Sequence, residues 1–437
     1  MIVVGIKRNR QSVPVHLPRI SKAQVSSESI QAEFLTVGYS GSKDQPQPVS
    51  VDPTPAPQPL VNANGQPIRL LFAVDSQFPR LGGAENQALK LASALREQGA
   101  EIEFITPRVI KSEPMSTTHL GFKVQRIDYP HIRFLGSLVL MFKVYRYFIR
   151  NADRFDAAHV HVTHLMAASA GYARAKSGLP VITKISGFYE FEGGVLDPRA
   201  KFKPLNFLIR RGLRLVDFVQ TISSQTQEKL LQAGFTQAQI QFVPNGIDTR
   251  LLPVPAPGTQ PIRIGYCGRL RDVKGVHVLL DAFAALQKIL PDVQLQLAIA
   301  GSGDTQDALN EQAANLGIQH CIQWLGTIDD TDEFYRSLDI YVQPSFAEGL
   351  PNSVMEAMLA ERPVVASAIG GNTDLIEDGN SGLLFEAGDS SVLAERLASV
   401  ISDSEMAEKL GKAGRRWILE HYGFESVCKK LAKLYRG

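Results

Sequence analysis

From Ile68 onwards, short apolar runs alternate with longer segments whose apolar residues recur at helical spacing. The first run, 68-IRLLFAV-74, leads through a glycine-containing loop into 84-AENQALKLASALREQG-99, where Gly99 occupies a C-cap position. Runs at 101–106, 157–162, 180–186 and 217–223 read as further strands, with helix-like segments between them. A second series opens at 262-IRIGYCG-268. It continues with helices over 275–290, 305–317, 332–339 and 353–361, and strands over 293–301, 321–326, 340–345, 363–367 and 382–386. Such alternation argues for parallel sheets, because each crossover helix covers a sheet face. The pattern predicts two doubly wound α/β domains in tandem, joined near 243-VPNGIDTRLLPVPAPG-258, whose Pro, Gly and Asn suit a hinge. Ligands in such folds gather at the carboxyl ends of strands, and two facing domains make a cleft.

The first 67 residues do not share this pattern. The segment 46-PQPVSVDPTPAPQPLVNANGQP-67 is rich in Pro and holds little that could pack. Residues 1–67 are therefore expected to form a poorly ordered extension. Residues 68–245 and 246–415 are expected to be the two domains, followed by an amphipathic helical segment over 416–437 that breaks near Gly423.

A chain of 437 residues agrees with two domains, and 44% hydrophobic and 21% charged residues are the proportions of a globular protein. No run approaches the roughly 18 apolar residues of a membrane span, and MIVVGIKRNR lacks a continuous signal-peptide core. Cys267, Cys321 and Cys428 are widely separated, without metal-ligand or disulfide spacing, and read as reduced thiols in a cytosol-facing protein. The net charge of +2 conceals an asymmetry: residues 68–250 hold 24 Lys+Arg against 15 Asp+Glu, and residues 251–437 hold 16 against 25. A basic first half suggests that this half faces something anionic.

Candidate chemistry sits at the strand ends of the second half. After 262-IRIGYCG-268 come Arg269 and Lys274, then Gly275 at a helix start, where free amides and two cations would clamp a pyrophosphate. After the next strand, 301-GSGD-304 allows close backbone approach. The third end, 347-AEGLPNSVMEAML-359, places Glu348 and Glu356 eight positions apart around a Gly-Leu-Pro turn. Ser353 and Glu356 fit a capping box, which leaves Glu348 without a purpose. The acidic run 329-DDTD-332 precedes a helix, where it favours the positive dipole end, and implies no metal.

The series GRLRDVKG, AGSGD, QPSFAEGLPNSVMEAMLAERPVVAS and GGNTDLIEDGNSGLLF resembles the donor domain of the retaining glycosyltransferases of family 4, the glycosyl transferases group 1. In the first half, 82-GGAE-85 and 156-DAAHVH-161 carry a weaker likeness. The resemblance implies a GT-B architecture, two Rossmann-like domains with a nucleotide diphosphate sugar in the cleft. It implies that Glu356 accepts hydrogen bonds from the ribose, and that Glu348 lies by the donor sugar and its phosphate. By the same likeness the amides of Gly349 and Leu350 meet sugar or phosphate, and Arg269 and Lys274 neutralise the departing diphosphate. The pair Gly82 and Gly83, between the first strand and helix, lets backbone approach the donor phosphates or the acceptor, Gly301 is a candidate donor contact, and by the resemblance His161 lies near the donor sugar's hydroxyls. His159, on the same strand face, reads as structural. Two positions depart from the family pattern. Ser186 stands where many relatives carry a histidine on the acceptor side, and 370-GGNTDL-375 replaces a Gly-Gly run that continues with Pro and Glu.

The expected activity is retaining, metal-independent sugar transfer to a carbohydrate or lipid-linked acceptor hydroxyl in surface polysaccharide or glycolipid biosynthesis. No cofactor beyond the co-substrate and no nucleic acid is expected. The rivals are an epimerase or hydrolase of the same fold, or a silent nucleotide-sugar-binding assembly protein. Two segments, 131-HIRFLGSLVLMFKVYRYFIR-150 and 199-RAKFKPLNFLIRRGLR-214, interleave cations with apolar and aromatic residues. Such segments suit either an anionic membrane surface or core-facing helices with solvated charged faces; the expected location is cytoplasmic, and peripheral to the membrane on the first of these readings.

Overall fold

The computed structural model describes residues 59–436, apart from 80–82, 133, 186, 188–189, 192, 201–203, 251–257 and 259. The expectations for residues 1–58, Gly82 and Ser186 thus lie outside the described residues.

The first sheet collects β1 (Arg69–Val74), β2 (Glu101–Pro107), β3 (Ser116–His119), β4 (Phe122–Ile127), β5 (Ala157–His161), β6 (Val181–Lys184), β7 (Phe218–Thr221) and β8 (Ile240–Phe242). Their order is β3-β4-β2-β1-β5-β6-β7-β8, parallel except for β3. The helices are α1 (Gly83–Glu97), α2 (Leu135–Asn151), α3 (Leu165–Ser177), α4 (Pro204–Leu213) and α5 (Ser224–Gln232). Alternate residues of β1 serve opposite faces. Leu71 and Ala73 pack on the α2–α3–α4 side, while Leu70, Phe72 and Val74 pack towards α1. Both faces are covered, which is why the strands read as nearly continuous apolar runs.

The second sheet is parallel throughout, in the order β11-β10-β9-β12-β13-β14. Its strands are β9 (Ile262–Cys267), β10 (Leu295–Ala300), β11 (Ile322–Gly326), β12 (Ile340–Gln343), β13 (Val364–Ser367) and β14 (Leu383–Phe385). The helices are α6 (Val276–Ile289), α7 (Gln306–Asn315), α8 (Thr331–Arg336), α9 (Asn352–Leu359), α10 (Gly370–Thr373), α11 (Ser390–Ser402), α12 (Ser404–His421) and α13 (Phe424–Tyr435). In each sheet the order reverses direction at the first strand, beside β1–β5 and β9–β12, and a crevice opens at that point.

Two boundaries and three strands differ from the sequence reading. Residues 59–67, assigned above to the extension, form a folded turn: Leu60 is buried and its amide donates to the Gln98 carbonyl at 2.7 Å. Asn62 organises the turn and also donates to Asp156. One apolar residue flanked by turn formers is enough to dock, where proline counting suggested none. At the other end no break falls at 415–416. α12 runs through it, and the chain leaves the second domain only at Tyr422–Phe424. There it lies beside the outgoing linker: the Ile247 amide donates to the Tyr422 carbonyl and the Phe424 amide to that of Ile247. α13 then packs Val427, Leu431 and Tyr435 into the α1 side of the first core. Finally, the strands β3, β4 and β8 were not anticipated. β3 and β4 form a hairpin through Leu120 and Gly121, both at positive φ, as a tight two-residue turn requires.

Candidate active site

The two switch points face one cavity of about 510 Å³. From the first domain it is lined by Gly83 at the start of α1, His161 ending β5 and Lys184 ending β6. From the second come Arg269 and Lys274 after β9, and Glu348, Gly349 and Leu350 after β12. Seven of the ten residues named above therefore meet in one place. Gly301 and Glu356 are not among the lining residues, and Gly82 lies outside the described ones.

Lys274 and Glu348 form the centre of this arrangement. The Lys274 ammonium reaches Glu348 Oε1 at 2.7 Å and Oε2 at 2.8 Å. Oε1 also accepts from Ser345 Oγ at 2.7 Å and from Gln343 Nε2 at 2.9 Å. The Gln343 amide is fixed in turn, because its oxygen accepts from Tyr341 and Ser353 hydroxyls. Glu348 is 9% exposed and Lys274 25%, so the pair sits at the wall of the cavity, where a charge needs such support. Gly275 makes the approach possible. It holds φ at +68°, and a Cβ there would lie 2.0 Å from the Pro344 carbonyl oxygen.

Ser353 and Glu356 do not form the capping box that their spacing suggests. Pro351 occupies the N-cap position of α9 without a side-chain cap, and the Ser353 hydroxyl turns instead to Gln343. It is the second donor to the buried Gln343 oxygen, which also accepts from Tyr341. The first-turn amides of α9 are thereby left to the cavity, at the positive end of the helix. Glu356, one turn in, accepts from the Tyr335 hydroxyl at 3.1 Å. Burial raises its pKa, and attraction from Lys90 of α1 partly offsets the rise.

Gly301, φ +132°, serves packing: a Cβ would fall 1.8 Å from the Gly268 carbonyl oxygen, which holds β9 and β10 loops together. His161 is 1% exposed and stacks on His159 at 4.5 Å. His159 Nδ1 meets the Tyr435 hydroxyl at 2.7 Å, which ties α13 to β5. Burial drives the pKa of His161 well down and takes that of His159 to about 3. Asp330 caps α8 by accepting from the Glu333 amide. Among the described residues no cluster of three or more His, Cys, Asp or Glu is placed to hold a metal ion.

Sequence reading passed over Lys184 and Gln343. A lysine inside the apolar run 180-PVITKIS-186 was the available signal for the first.

Two Rossmann-like domains with a cation-lined cavity at their joint switch points define the GT-B class of fold. The family descriptions agree along the chain: Glycosyltransferase Family 4 matches residues 81–251, and Glycosyl transferases group 1 matches residues 251–417. The chain belongs to this family of GT-B glycosyltransferases. It is 25% identical over 382 residues to N-acetyl-alpha-D-glucosaminyl L-malate synthase of Bacillus anthracis, covering 82% of this chain and 94% of that one. It is 34% identical over 185 residues to D-inositol 3-phosphate glycosyltransferase of Corynebacterium urealyticum, which covers 40% of this chain and 42% of that one. Among solved structures it resembles Anabaena HepE in complex with UDP and glucose, with a TM-score of 0.66, 22% identity, and 84% and 98% of the two chains covered.

Proposed function

We propose that this glycosyltransferase moves a sugar, with retention of configuration, from a nucleotide diphosphate sugar to an acceptor hydroxyl. The observation that carries the reading is the Lys274–Glu348 pair at the mouth of an uncapped α9. In it, cations Arg269 and Lys274 and the α9 amides take the diphosphate, and Glu348 orients the sugar. The C1–oxygen bond to the diphosphate breaks with its electron pair on the phosphate oxygen. The acceptor oxygen attacks C1 from the same face, and its proton passes to that phosphate oxygen. Glu348 Oε1 already accepts from three donors, which suits a positioning carboxylate better than a nucleophile. Among the described residues Oε2 accepts from Lys274 alone and so has capacity for a sugar hydroxyl. Glu356 serves the ribose. The protein cations supply the charge needed at the leaving group, so transfer is expected to persist in EDTA.

UDP bound to HepE makes a uridine donor the first to try. The test is a thermal-shift screen of UDP, GDP, ADP and dTDP and their sugars on wild type and Glu356→Ala, followed by transfer to an acceptor extract with the product anomer read by NMR. One nucleotide that stabilises wild type and not the variant supports the reading. Donor hydrolysis without transfer, or an inverted product, refutes it.

The acceptor side is proposed to lie against an anionic membrane surface, with a lipid-linked or polysaccharide acceptor. Support comes from one face of the first domain. α2 and α4 flank α3 and expose Phe142, Phe207 and Leu208 together with Lys143, Arg146 and Arg211. Among the described residues no helix is long and apolar enough to cross a membrane. Binding to anionic vesicles at low salt that is lost at moderate salt is the expected result, and no binding at low salt refutes it.

A further inference from the structure

Lys184 takes no part in the roles assigned so far. It ends β6, directly beside His161 in the register of β5 and β6, and both side chains line the cavity. Lys184 is only 4% exposed. Among the described residues no carboxylate and no hydrogen-bond acceptor meets its ammonium, and the two histidines of β5 beside it, with pKa values lowered by burial, supply no counter-charge. His161 Nε2 and Asn245 Oδ1, of residues that line the same cavity, are buried without a partner. Asn245 joins the domains by donating to Asn352 at the start of α9. A buried cation without a counter-charge is costly unless something anionic joins it. Glu348, the one carboxylate among the described residues that line the cavity, is already held by Lys274, Gln343 and Ser345.

We propose that Lys184 binds an oxyanion of the bound substrate from the first domain, opposite the cations of the second. The inference rests on the nucleotide-sugar reading for the substrate, and on the cavity alone for the oxyanion. The oxyanion has two possible sources, the donor's diphosphate and an acidic group of the acceptor. The diphosphate is favoured, because Arg269, Lys274 and the uncapped amides of α9 open on the same cavity. In that case one anion is held by both domains at once, so donor binding draws the cleft closed. Lys184 is then a residue of closure as well as affinity.

The test is calorimetric titration of the full chain, wild type, Lys184→Gln and Lys184→Arg, with UDP, with uridine, and with inorganic phosphate added to UDP-saturated protein. Loss of one charge-assisted contact is expected to weaken UDP by about 10- to 100-fold in Lys184→Gln. Uridine should be unchanged and Lys184→Arg should recover most of the loss. That result assigns the oxyanion to the donor. Unchanged UDP affinity, with phosphate binding to the UDP-saturated wild type abolished in Lys184→Gln, assigns it to the acceptor. Equal losses of UDP and uridine, or no change in any titration, overturn the proposal. A wild type that binds none of UDP, GDP, ADP or dTDP, yet binds phosphate through Lys184, removes the nucleotide-sugar reading and keeps the oxyanion site.

Discussion

Removing the Lys184 charge should make the unliganded protein more stable. Burial takes the Lys184 pKa from 10.5 to about 8. In the unfolded chain the ammonium keeps its ordinary pKa, so between pH 8 and 10.5 the unfolded state binds more protons than the folded one. Stability therefore rises with pH across that window, and below pH 8 the full penalty is present. A shift of about 2.5 units corresponds to about 3 kcal/mol at pH 7 and shrinks to about 1 kcal/mol at pH 10. Lys184→Met replaces the ammonium with an unbranched apolar chain of similar length and removes the penalty. At roughly 2 °C per kcal/mol, the low end for large domains, the variant should melt about 5 °C or more above wild type at pH 7. Differential scanning fluorimetry of both proteins between pH 7 and 10 reads the effect. A variant that melts at or below wild type at pH 7, or a gap that does not narrow by pH 10, refutes the reasoning. The same experiment with a saturating nucleoside diphosphate should reverse the order, since the ligand recovers more from wild type.

Other residues give independent checks. Lys274→Met leaves Glu348 with Gln343 and Ser345 only, and should cut the transfer rate at least about 100-fold, measured by initial rates with saturating donor. Tyr435→Phe strips His159 Nδ1 of its partner and should cost about 1–3 kcal/mol in urea unfolding, with α13 released first in hydrogen exchange; an unchanged midpoint would contradict that role. Gly275→Ala forces a Cβ against the Pro344 carbonyl at a positive φ, so it should destabilise the second domain and lower donor affinity in thermal shift, while Gly178→Ala, with open space around it, should cost only about 1–2 kcal/mol of left-handed strain.

Much of this molecule is written locally. Crossover helices and buried parallel strands each need a continuous or periodic apolar stretch, and those stretches lie plainly at 68–74, 157–162, 262–268 and 340–345. Arg269, Lys274 and Glu348 could be singled out because each follows a strand's carboxyl end, and Gly349 and Leu350 through the family resemblance; all five line the cavity. The hairpin of β3 and β4 and the short β8 were not. They are edge or near-edge strands with polar alternation, and only pairing with β2 and β7 orders them. Tertiary contacts also decided between competing local rules. Ser353 was free to cap α9 until Gln343 was brought beneath it, and Glu356 was free to reach back until Tyr335 met it. α13 is far from the first domain's core in the chain, and nothing local in its sequence says that it packs against α1. Lys184 shows the division most clearly. Its position inside an apolar run is sequence, but an ammonium at the end of a strand is ordinarily solvated. Only the pairing of β6 between β5 and β7 made that charge a buried one at a cavity.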